Sequence, residues 1–304
     1  MVDVAIVGGG IAGLTAANLL AARGADVVVF DRGEKLPCRE VQCGGEALEH
    51  AGRAVLDGLR QKAESLRVIR YRLAVTAIMR ECEGFSLYCG AYRFPSRAVI
   101  LANGCTPCLP TVSAGAALLA GAAVFDVAEA KRRFVGRRVA VLGDRRVFAA
   151  ARALQDVTAA LHILPNGVSF DEKSPTVARL LAAHSVVLHR NVHLLAAGGD
   201  GALQTLLISR DCDGGTRDIH VDGVLVLEGY QPQNEMFSGI LPLNGMGYAV
   251  AGEDCRTSLA GLFAAGDTRA KPYRGLFGAL SDGRAAAESA LLYLSANFAM
   301  NQYF

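Results

Sequence analysis

A glycine-rich turn near the start of the chain restricts its possible folds more than any other feature of the sequence. The segment DVAIVGGGIAGLTAANLLAARGADVVVFDRG predicts a short buried strand, a helix and a second strand, in that order. Between the first strand and the helix, Gly8, Gly10 and Gly13 fit the pattern G-x-G-x-x-G. Such glycines permit a tight turn, a close approach of the backbone to a pyrophosphate, and close packing of helix on strand. The pattern therefore favours a dinucleotide site over a purely structural glycine turn.

The residues around this turn have the chemistry that a dinucleotide needs. Phosphates bind at a helix N-terminus because its N–H groups have no partner within the helix and its dipole favours anions. Asp31 ends the second strand, where a carboxylate can accept a hydrogen bond from a ribose hydroxyl. The cofactor-binding residues predicted in this segment are Gly8, Gly10, Ile11, Ala12, Gly13, Asp31 and Arg32.

The carboxyl-terminal segment TSLAGLFAAGDTRAKPYRGLFGALSDGRAAAESALLYL predicts a strand that ends at Gly266–Asp267, followed by a helix from about Gly278. This segment resembles the second FAD motif of flavoproteins that have two dinucleotide-binding domains. The resemblance implies that Asp267 contacts the ribityl and phosphate region of FAD and that residues 273–276 lie beside the isoalloxazine ring. An ordinary strand–helix unit with a surface aspartate is the alternative.

Further segments extend this resemblance over nearly the whole chain. AVILANGCTPCLP resembles the A-T-G segment of the low-molecular-weight thioredoxin reductase family, with Asn103 in place of threonine. VDGVLVLEGYQPQNEMF resembles the family's G-x-x-P segment, except that Gln233 separates Pro232 from Asn234. The resemblance implies that the following residues also bind FAD: Ala102, Asn103, Gly104, Gly266, Asp267, Arg274, Gly275 and Leu276.

The same resemblance implies an α/β fold with two doubly wound, Rossmann-like dinucleotide-binding domains, the second inserted into the first. The expected FAD-binding domain comprises residues 1–111 and 242–304, and the inserted NAD(P)H-binding-like domain comprises residues 112–241. Members of the family are usually homodimers, so a homodimer is expected here as well.

The inserted domain departs from the family pattern where NADPH would bind. After the strand over 138–142, only Gly143 remains of the glycine turn, and Asp144 places a carboxylate where phosphates are expected. Arg145 replaces the glycine that permits close approach, whereas Arg146 has the chemistry to bind phosphate in a reshaped site. The next strand is followed by LPNG, which lacks the family's basic pair for the 2′-phosphate. These departures argue against NADPH binding in the family's manner.

The cysteines depart from the family pattern too. The C-x-x-C of the inserted domain is missing, and Asp126 and Glu129 have its spacing, either as a proton relay beside the flavin or as a solvated helix face. Cys38 and Cys43 have the C-x-x-x-x-C spacing of related disulfide reductases, so they are candidates for a flavin-linked catalytic disulfide. The alternatives for this pair are two unpaired thiols or a metal site. Cys105 and Cys108 form a C-x-x-C, but their position in the interdomain connection argues against redox activity.

Composition narrows the function classes further. The chain has 304 residues, is 52% hydrophobic and carries a net charge of +2, which is typical of a globular protein without a general attraction to nucleic acid or membranes. No histidine neighbours the cysteines at ligand spacing, so no metal site is predicted. A cytoplasmic protein is expected. The carboxyl-terminal aromatic residues predict either a flavin cap or dimer contact, or a tail packed on its own domain: Phe298, Tyr303 and Phe304.

Together these features predict an FAD-dependent oxidoreductase of the thioredoxin reductase type. It would transfer electrons between flavin and a disulfide, dithiol or other small acceptor, with a small redox protein or a small-molecule dithiol or disulfide as partner. Two alternatives stay open. One is a non-catalytic FAD-binding partner or sensor protein, and the other is a cysteine-independent NAD(P)H:acceptor flavin reductase.

Overall fold

The structure is a computed structural model that describes residues 1–33, 46–166, 170, 174–210 and 214–301. The chain divides into two compact units, the first made of Met1–Thr106 with Gln231–Phe304 and the second of Pro107–Tyr230. The second unit is thus inserted into the first, and both of its boundaries lie nearer the N-terminus than the expected residues 112 and 241. The boundaries fall within strands β7 (Cys105–Pro107) and β16 (Tyr230–Pro232), which pair with each other.

The first unit contains a seven-stranded sheet in the order β3-β2-β1-β6-β5-β4, with β17 also paired to β6. Strands β1, β2, β3, β6 and β17 run parallel, whereas β5 is antiparallel to β4 and β6. Valine and isoleucine dominate β1 and β2, as expected for strands that are buried on both faces. The strand bounds are Val2–Val7 (β1), Val27–Phe30 (β2), Ile69–Tyr71 (β3), Ala77–Glu81 (β4), Gly84–Cys89 (β5), Tyr92–Leu101 (β6) and Leu262–Ala264 (β17).

Helices α1 (Ile11–Ala22), α2 (Glu46–Ser65) and α7 (Leu276–Asn301) belong to the same unit. Helix α1 is apolar around most of its circumference because it packs against the sheet, α2 and α7. Alanines from α1 and α7 lie in one hydrophobic cluster with β1 and β6, and their small side chains allow close packing. This close packing fixes α1 directly after β1, with its N-terminus at the carboxyl edge of the sheet.

The second unit contains a five-stranded parallel sheet in the order β11-β10-β9-β15-β8 and a separate antiparallel sheet in the order β12-β13-β14. Its helices are α3 (Ala116–Ala122), α4 (Val127–Arg133), α5 (Arg146–Leu154) and α6 (Pro175–Leu181). The strand bounds are Ala123–Val124 (β8), Arg138–Gly143 (β9), Ala160–Pro165 (β10), Val186–Leu188 (β11), Val192–Gly198 (β12), Thr205–Arg210 (β13), Thr216–His220 (β14) and Gly223–Leu227 (β15).

The predicted fold of two doubly wound domains is confirmed. In each parallel sheet, the chain places successive strands first on one side and then on the other side of one central strand. In the first unit this strand is β1, between β2 and β6, and in the second unit it is β9, between β10 and β15. Ligands of open α/β sheets bind outside the carboxyl ends of the strands at such switch points. The starts of α1 and α5 are therefore the places to compare for cofactor binding. Among the described helices, none is both long and apolar enough to cross a membrane.

Candidate functional site

The turn between β1 and α1 leaves open space where a ligand would approach. Gly8 has φ +108°, and a Cβ there would collide with the Ala102 carbonyl. Gly10 is the N-cap residue of α1, no side chain caps the helix there, and no atom lies within 4 Å of the place that a Cβ would take. The first N–H groups of α1 are thus uncapped beside open space at Gly10, which suits a pyrophosphate.

Asp31 stands beside this turn at the end of β2. Its backbone N–H donates to the Tyr71 carbonyl at 2.9 Å, and its Oδ1 accepts from the Gly33 N–H at 2.9 Å. Its Oδ2 lies where a side chain on Gly9 would be, so the carboxylate is aimed over the glycine turn. A carboxylate in this position can accept a hydrogen bond from a ribose hydroxyl.

The structure brings the other predicted cofactor residues of the first unit to the same sheet edge. Ala102 follows β6 and its N–H donates to the Val7 carbonyl at 2.8 Å. Gly266 follows β17, and a Cβ there would lie 2.8 Å from the Cβ of Ala12. The Asp267 carboxylate accepts from the Gly275 N–H at 3.1 Å, which joins the end of β17 to the start of α7. All the predicted FAD residues lie in the first unit. Ile11 and Gly13 are within α1, and Gly104 follows Asn103. Arg32 and Leu276 are the chain neighbours of Asp31 and Gly275.

Two buried polar atoms among these residues have no hydrogen-bond partner in the described part of the chain: Oδ1 of Asn103 and Nε of Arg274. The guanidinium of Arg274 lies 3.8 Å from the centre of the Tyr248 ring, so a cation–π contact fixes its position. Buried polar atoms without partners are uncommon, and a bound ligand is one way to satisfy them. With the open turn at Gly10, they make the site fit FAD.

Sequence reasoning missed a polar network that holds the cofactor residues in place. Asn234 is fully buried, and its Oδ1 accepts from Asn103 Nδ2 at 3.1 Å and from Thr268 Oγ1 at 2.7 Å. Asn103 Nδ2 also donates to the Gln233 carbonyl at 2.9 Å. Asn103 and the extra residue Gln233 both depart from the family pattern, and a hydrogen bond joins them.

A second missed feature is a buried ion cluster on α7. The Asp282 carboxylate accepts from the Gly266 N–H at 2.9 Å, from Arg269 Nη2 at 3.0 Å and from Lys271 Nζ at 2.8 Å. Burial raises the pKa of Asp282, but the hydrogen bonds from Arg269 and Lys271 outweigh burial, so the pKa lies below its usual value. The periodicity of the segment does not signal this cluster, because Arg269 and Lys271 precede α7 and meet Asp282 only when the loop folds back on the helix.

The start of α5 differs from the start of α1. Asp144 Oδ1 accepts from the Arg146 N–H at 2.9 Å and from Arg146 Nε at 2.8 Å, and Arg146 Nη2 donates to the Leu227 carbonyl at 2.8 Å. The third glycine position of the motif holds Phe148, which is buried and lies 4.5 Å from the Phe170 ring between centroids. The turn before α5 thus has side chains at the second and third glycine positions of the motif, and the Asp144 carboxylate accepts from the first N–H group of the helix.

The structure describes one of the two candidate cysteine pairs, Cys105 and Cys108. Cys38 and Cys43 lie outside the described residues. The Cys105 thiol donates to the Asp267 carbonyl at 3.1 Å, and burial together with Glu228 raises the pKa of Cys108. Neither cysteine forms a disulfide in the described chain. A neutral thiol is a weak nucleophile, so the geometry does not favour this pair as a redox centre.

The interpretation of Asp126 and Glu129 as a solvated helix face is wrong for Asp126, which is buried, whereas Glu129 is exposed. The side chain of Asp126 is 3% exposed and its Oδ1 accepts from the Glu129 N–H, which makes Asp126 the N-cap of α4. Capping residues satisfy N–H groups that have no partner within the helix. The spacing that suggested a redox or proton-relay pair therefore has a structural explanation.

Comparison with known proteins places the chain among flavoproteins. The pyridine nucleotide-disulphide oxidoreductase family matches residues 2–287. A thioredoxin reductase of Treponema pallidum is 26% identical over 96% of this chain and 97% of its own length. The crystal structure of a Lactococcus lactis thioredoxin reductase has a TM-score of 0.76 at 19% identity and covers 97% of this chain and 100% of its own. A T. acidophilum thioredoxin reductase has a TM-score of 0.73 at 24% identity, covering 97% and 98%.

Proposed function

The chain belongs to the pyridine nucleotide-disulphide oxidoreductase family and is an FAD-dependent oxidoreductase similar to thioredoxin reductases; on that premise we propose that it exchanges electrons with a disulfide, a dithiol or another small acceptor and does not take NADPH in the family's usual manner. The observation that carries the proposal is the contrast between the two helix starts. The start of α1 is open at Gly10, whereas the start of α5 is filled by Asp144.

Each part of the FAD site has a role that its own chemistry explains. The N–H groups at the start of α1 would hold the pyrophosphate, and Asp31 would accept from a ribose hydroxyl. Asp267 would face the ribityl chain while the Gly275 N–H holds its carboxylate. Arg274, fixed on Tyr248, would supply a cation to the site. FAD, when bound, supplies the two-electron redox chemistry, and these side chains bind and orient it.

The partners follow from the same proposal. A small redox protein, or a small-molecule dithiol or disulfide, would exchange electrons with the enzyme in place of NADPH. Cys38 and Cys43 are the proposed catalytic pair, because their spacing matches that of related disulfide reductases. A cytoplasmic homodimer is the proposed assembly, as is common for thioredoxin reductases.

Anaerobic titration of the purified flavoprotein tests the proposal. NADPH, NADH, dithiothreitol and dithionite are added separately while the flavin absorbance is recorded. We expect dithiothreitol and dithionite to bleach the flavin and NADPH to do so at least about 100-fold more slowly. Wild type should take up about four electrons per chain and a Cys38→Ser, Cys43→Ser variant about two, because the disulfide stores a further pair. The exposed Cys82→Ser variant is the matched control and should behave as wild type.

Each unexpected result removes a specific part of the proposal. Rapid bleaching by NADPH would show that the inserted domain works in the usual manner. Rapid bleaching by NADH in the double cysteine variant would favour a cysteine-independent flavin reductase. A yellow protein that no nicotinamide, dithiol or electron-carrier protein reduces would favour a non-catalytic FAD-binding protein.

A further inference from the structure

We infer that Asp144 is the residue that excludes nicotinamide dinucleotides from the inserted domain, by seating its own carboxylate at the start of α5 where a phosphate would bind. This inference rests on the proposed function, which says only that NADPH is not used in the usual manner. It adds which residue causes the exclusion, and which nucleotide the site would take if that residue were removed.

The first step is the occupancy of the helix start. Asp144 Oδ1 accepts two hydrogen bonds from Arg146, at 2.9 Å from the backbone N–H and at 2.8 Å from Nε. Phosphates in dinucleotide-binding folds take these same two kinds of donor, backbone N–H groups of the first turn and a nearby cation. A bound pyrophosphate would therefore have to displace the carboxylate from both.

The second step is the position of Arg146. Its Nη2 donates to the Leu227 carbonyl at 2.8 Å, so the guanidinium bridges the end of β15 and the side chain of Asp144. The side chain of Arg146 is 27% exposed and that of Asp144 is 48% exposed, so the pair lies at the surface of the switch point. The guanidinium of Arg146 is thus bonded to groups of its own chain, and a phosphate would have to replace Asp144 to bind it.

The third step is charge. Burial raises the pKa of Asp144, but hydrogen bonds and the positive charges of Arg146 and Arg145 lower it more, so the carboxylate is ionised at neutral pH. A second acidic side chain, Glu228, follows Leu227 at the end of β15. Arg145 and Arg146 carry as many positive charges as Asp144 and Glu228 carry negative ones, so the occupied donors, and not net repulsion, keep a phosphate out.

The fourth step concerns the nucleotide that an opened site would accept. Strand β10 ends at Pro165, and Asn166 Nδ2 donates to Glu228 Oε1 at 3.2 Å. Neither Pro165 nor Asn166 carries a positive charge for a 2′-phosphate, whereas Asn166 can bond to a ribose hydroxyl. The opened site would therefore bind NADH more tightly than NADPH.

The test measures binding of NADH and NADPH to the FAD-loaded protein by titration calorimetry. Wild type should bind both weakly. Asp144→Gly removes the carboxylate, and Asp144→Gly with Arg145→Gly also restores the second glycine of the turn. At least one of the two variants should bind NADH about tenfold or more tightly than wild type, and NADPH less tightly than NADH.

Two matched variants test whether Asp144 excludes the nucleotide by occupying the Arg146 N–H or by its charge. Asp144→Asn keeps an oxygen that accepts from the Arg146 N–H, so it should bind NADH as weakly as wild type. Asp156→Gly removes an exposed carboxylate just beyond the other end of α5 and should also behave as wild type.

The outcomes distinguish this inference from the proposed function. If both glycine variants keep their flavin spectrum and melting temperature but gain no affinity, the inference is wrong and the proposed function stands. An equal gain in Asp144→Asn would also overturn occupancy as the cause. Tight binding of NADPH by wild type would contradict both proposals together.

Discussion

At the scale of single residues, the most informative position is Gly10. Its φ of −78° and ψ of −169° are values that any residue adopts, and no atom lies within 4 Å of where its Cβ would be. The fold of the described chain therefore places no demand for glycine at this position. Gly8 is different, because its φ of +108° and the nearby Ala102 carbonyl require glycine for the turn itself. Gly10 is thus the glycine that the ligand requires.

The first prediction is that Gly10→Asp folds but does not retain FAD. The new side chain has space, and aspartate is a favourable N-cap residue, but its charge repels the pyrophosphate. We expect a far-ultraviolet spectrum like that of the wild-type apoprotein and less than about a tenth of the flavin per chain. Gly8→Val is the contrasting variant, and it should fail to fold. Retention of full flavin content by Gly10→Asp would contradict the position of the phosphate site.

The second prediction concerns two histidines of the inserted unit. His162 Nδ1 and His189 Nε2 lie 3.0 Å apart, and His189 is 7% exposed. Burial lowers the pKa of His189 from 6.5 to about 4, with added repulsion from His162 and Arg217. The unfolded chain therefore binds a proton that the folded chain does not, so stability falls as pH drops from about 6.5 to about 4. The loss at the lower limit is about 3 kcal/mol.

Denaturant unfolding between pH 4 and 7 measures this loss. The slope of unfolding free energy against pH should become shallower in His189→Gln, because the variant removes the titrating ring. His184→Gln, at an exposed histidine of the same unit, is the control and should keep the wild-type slope. Equal slopes in wild type and His189→Gln would show that the buried ring does not control acid stability.

At the scale of secondary-structure elements, α7 holds the segment that follows β17 through a buried ion cluster. Asp282 on α7 holds the Gly266 N–H, Arg269 and Lys271 at once. The side chains of Arg269 and Asp282 are 3% and 7% exposed, so water cannot replace a lost partner. The helix therefore fixes the loop that carries Asp267 through one carboxylate.

The third prediction is that Asp282→Asn destabilises the protein and weakens FAD binding together. Removing one charge leaves Arg269 buried without its main partner, which costs about 3 kcal/mol or more. Glu288→Gln breaks the exposed pair with Arg284 on the same helix and should cost less than about 1 kcal/mol. Denaturant unfolding and flavin release measure both effects. A change of similar size in the two variants would contradict a special role for Asp282.

At the scale of the whole molecule, the two units share one architecture but offer different helix starts. Every predicted FAD residue lies in the unit formed by both ends of the chain, and the altered glycine turn lies in the inserted unit. A ligand that binds only the folded form stabilises the unit that holds it. FAD binding should therefore increase the local stability of the first unit and leave that of the inserted unit unchanged.

The fourth prediction is that FAD removal alters hydrogen exchange in the first unit only. Apoprotein and flavoprotein are compared by mass spectrometry after timed exchange. Exchange should rise at the β1–α1 turn and at the start of α7 when FAD is removed, because their N–H groups lose a ligand. Peptides from β9 and α5 should exchange alike in both forms. Added protection of these peptides by FAD would show that the inserted unit also takes part in binding.

The periodicity and the glycines predicted the first strand–helix–strand unit, and the resemblance to the flavoprotein family predicted the fold of two doubly wound domains, which is confirmed. Strands such as β1 are short, buried and β-branched, and the glycine pattern directly follows the strand, so local sequence specifies both. Asp144 was also recognisable as unfavourable for phosphate from its position in the motif alone. Its two hydrogen bonds with Arg146 were not, because the conformation of that turn depends on where β15 presents the Leu227 carbonyl.

The sequence by itself thus determined the strand–helix–strand unit with the glycine turn at Gly8 to Gly13, because these depend on periodicity and on backbone conformation near each residue. The resemblance to a known family extended this unit to two dinucleotide-binding domains, and the order of the strands within each sheet came from the tertiary structure. The tertiary structure alone decided which polar groups meet. Asn234 with Asn103, Asp282 with Arg269, and Arg146 with Leu227 join residues that are 13 to 131 positions apart. Folding brings such groups together, and their separation along the chain leaves no local pattern from which the contact could be predicted.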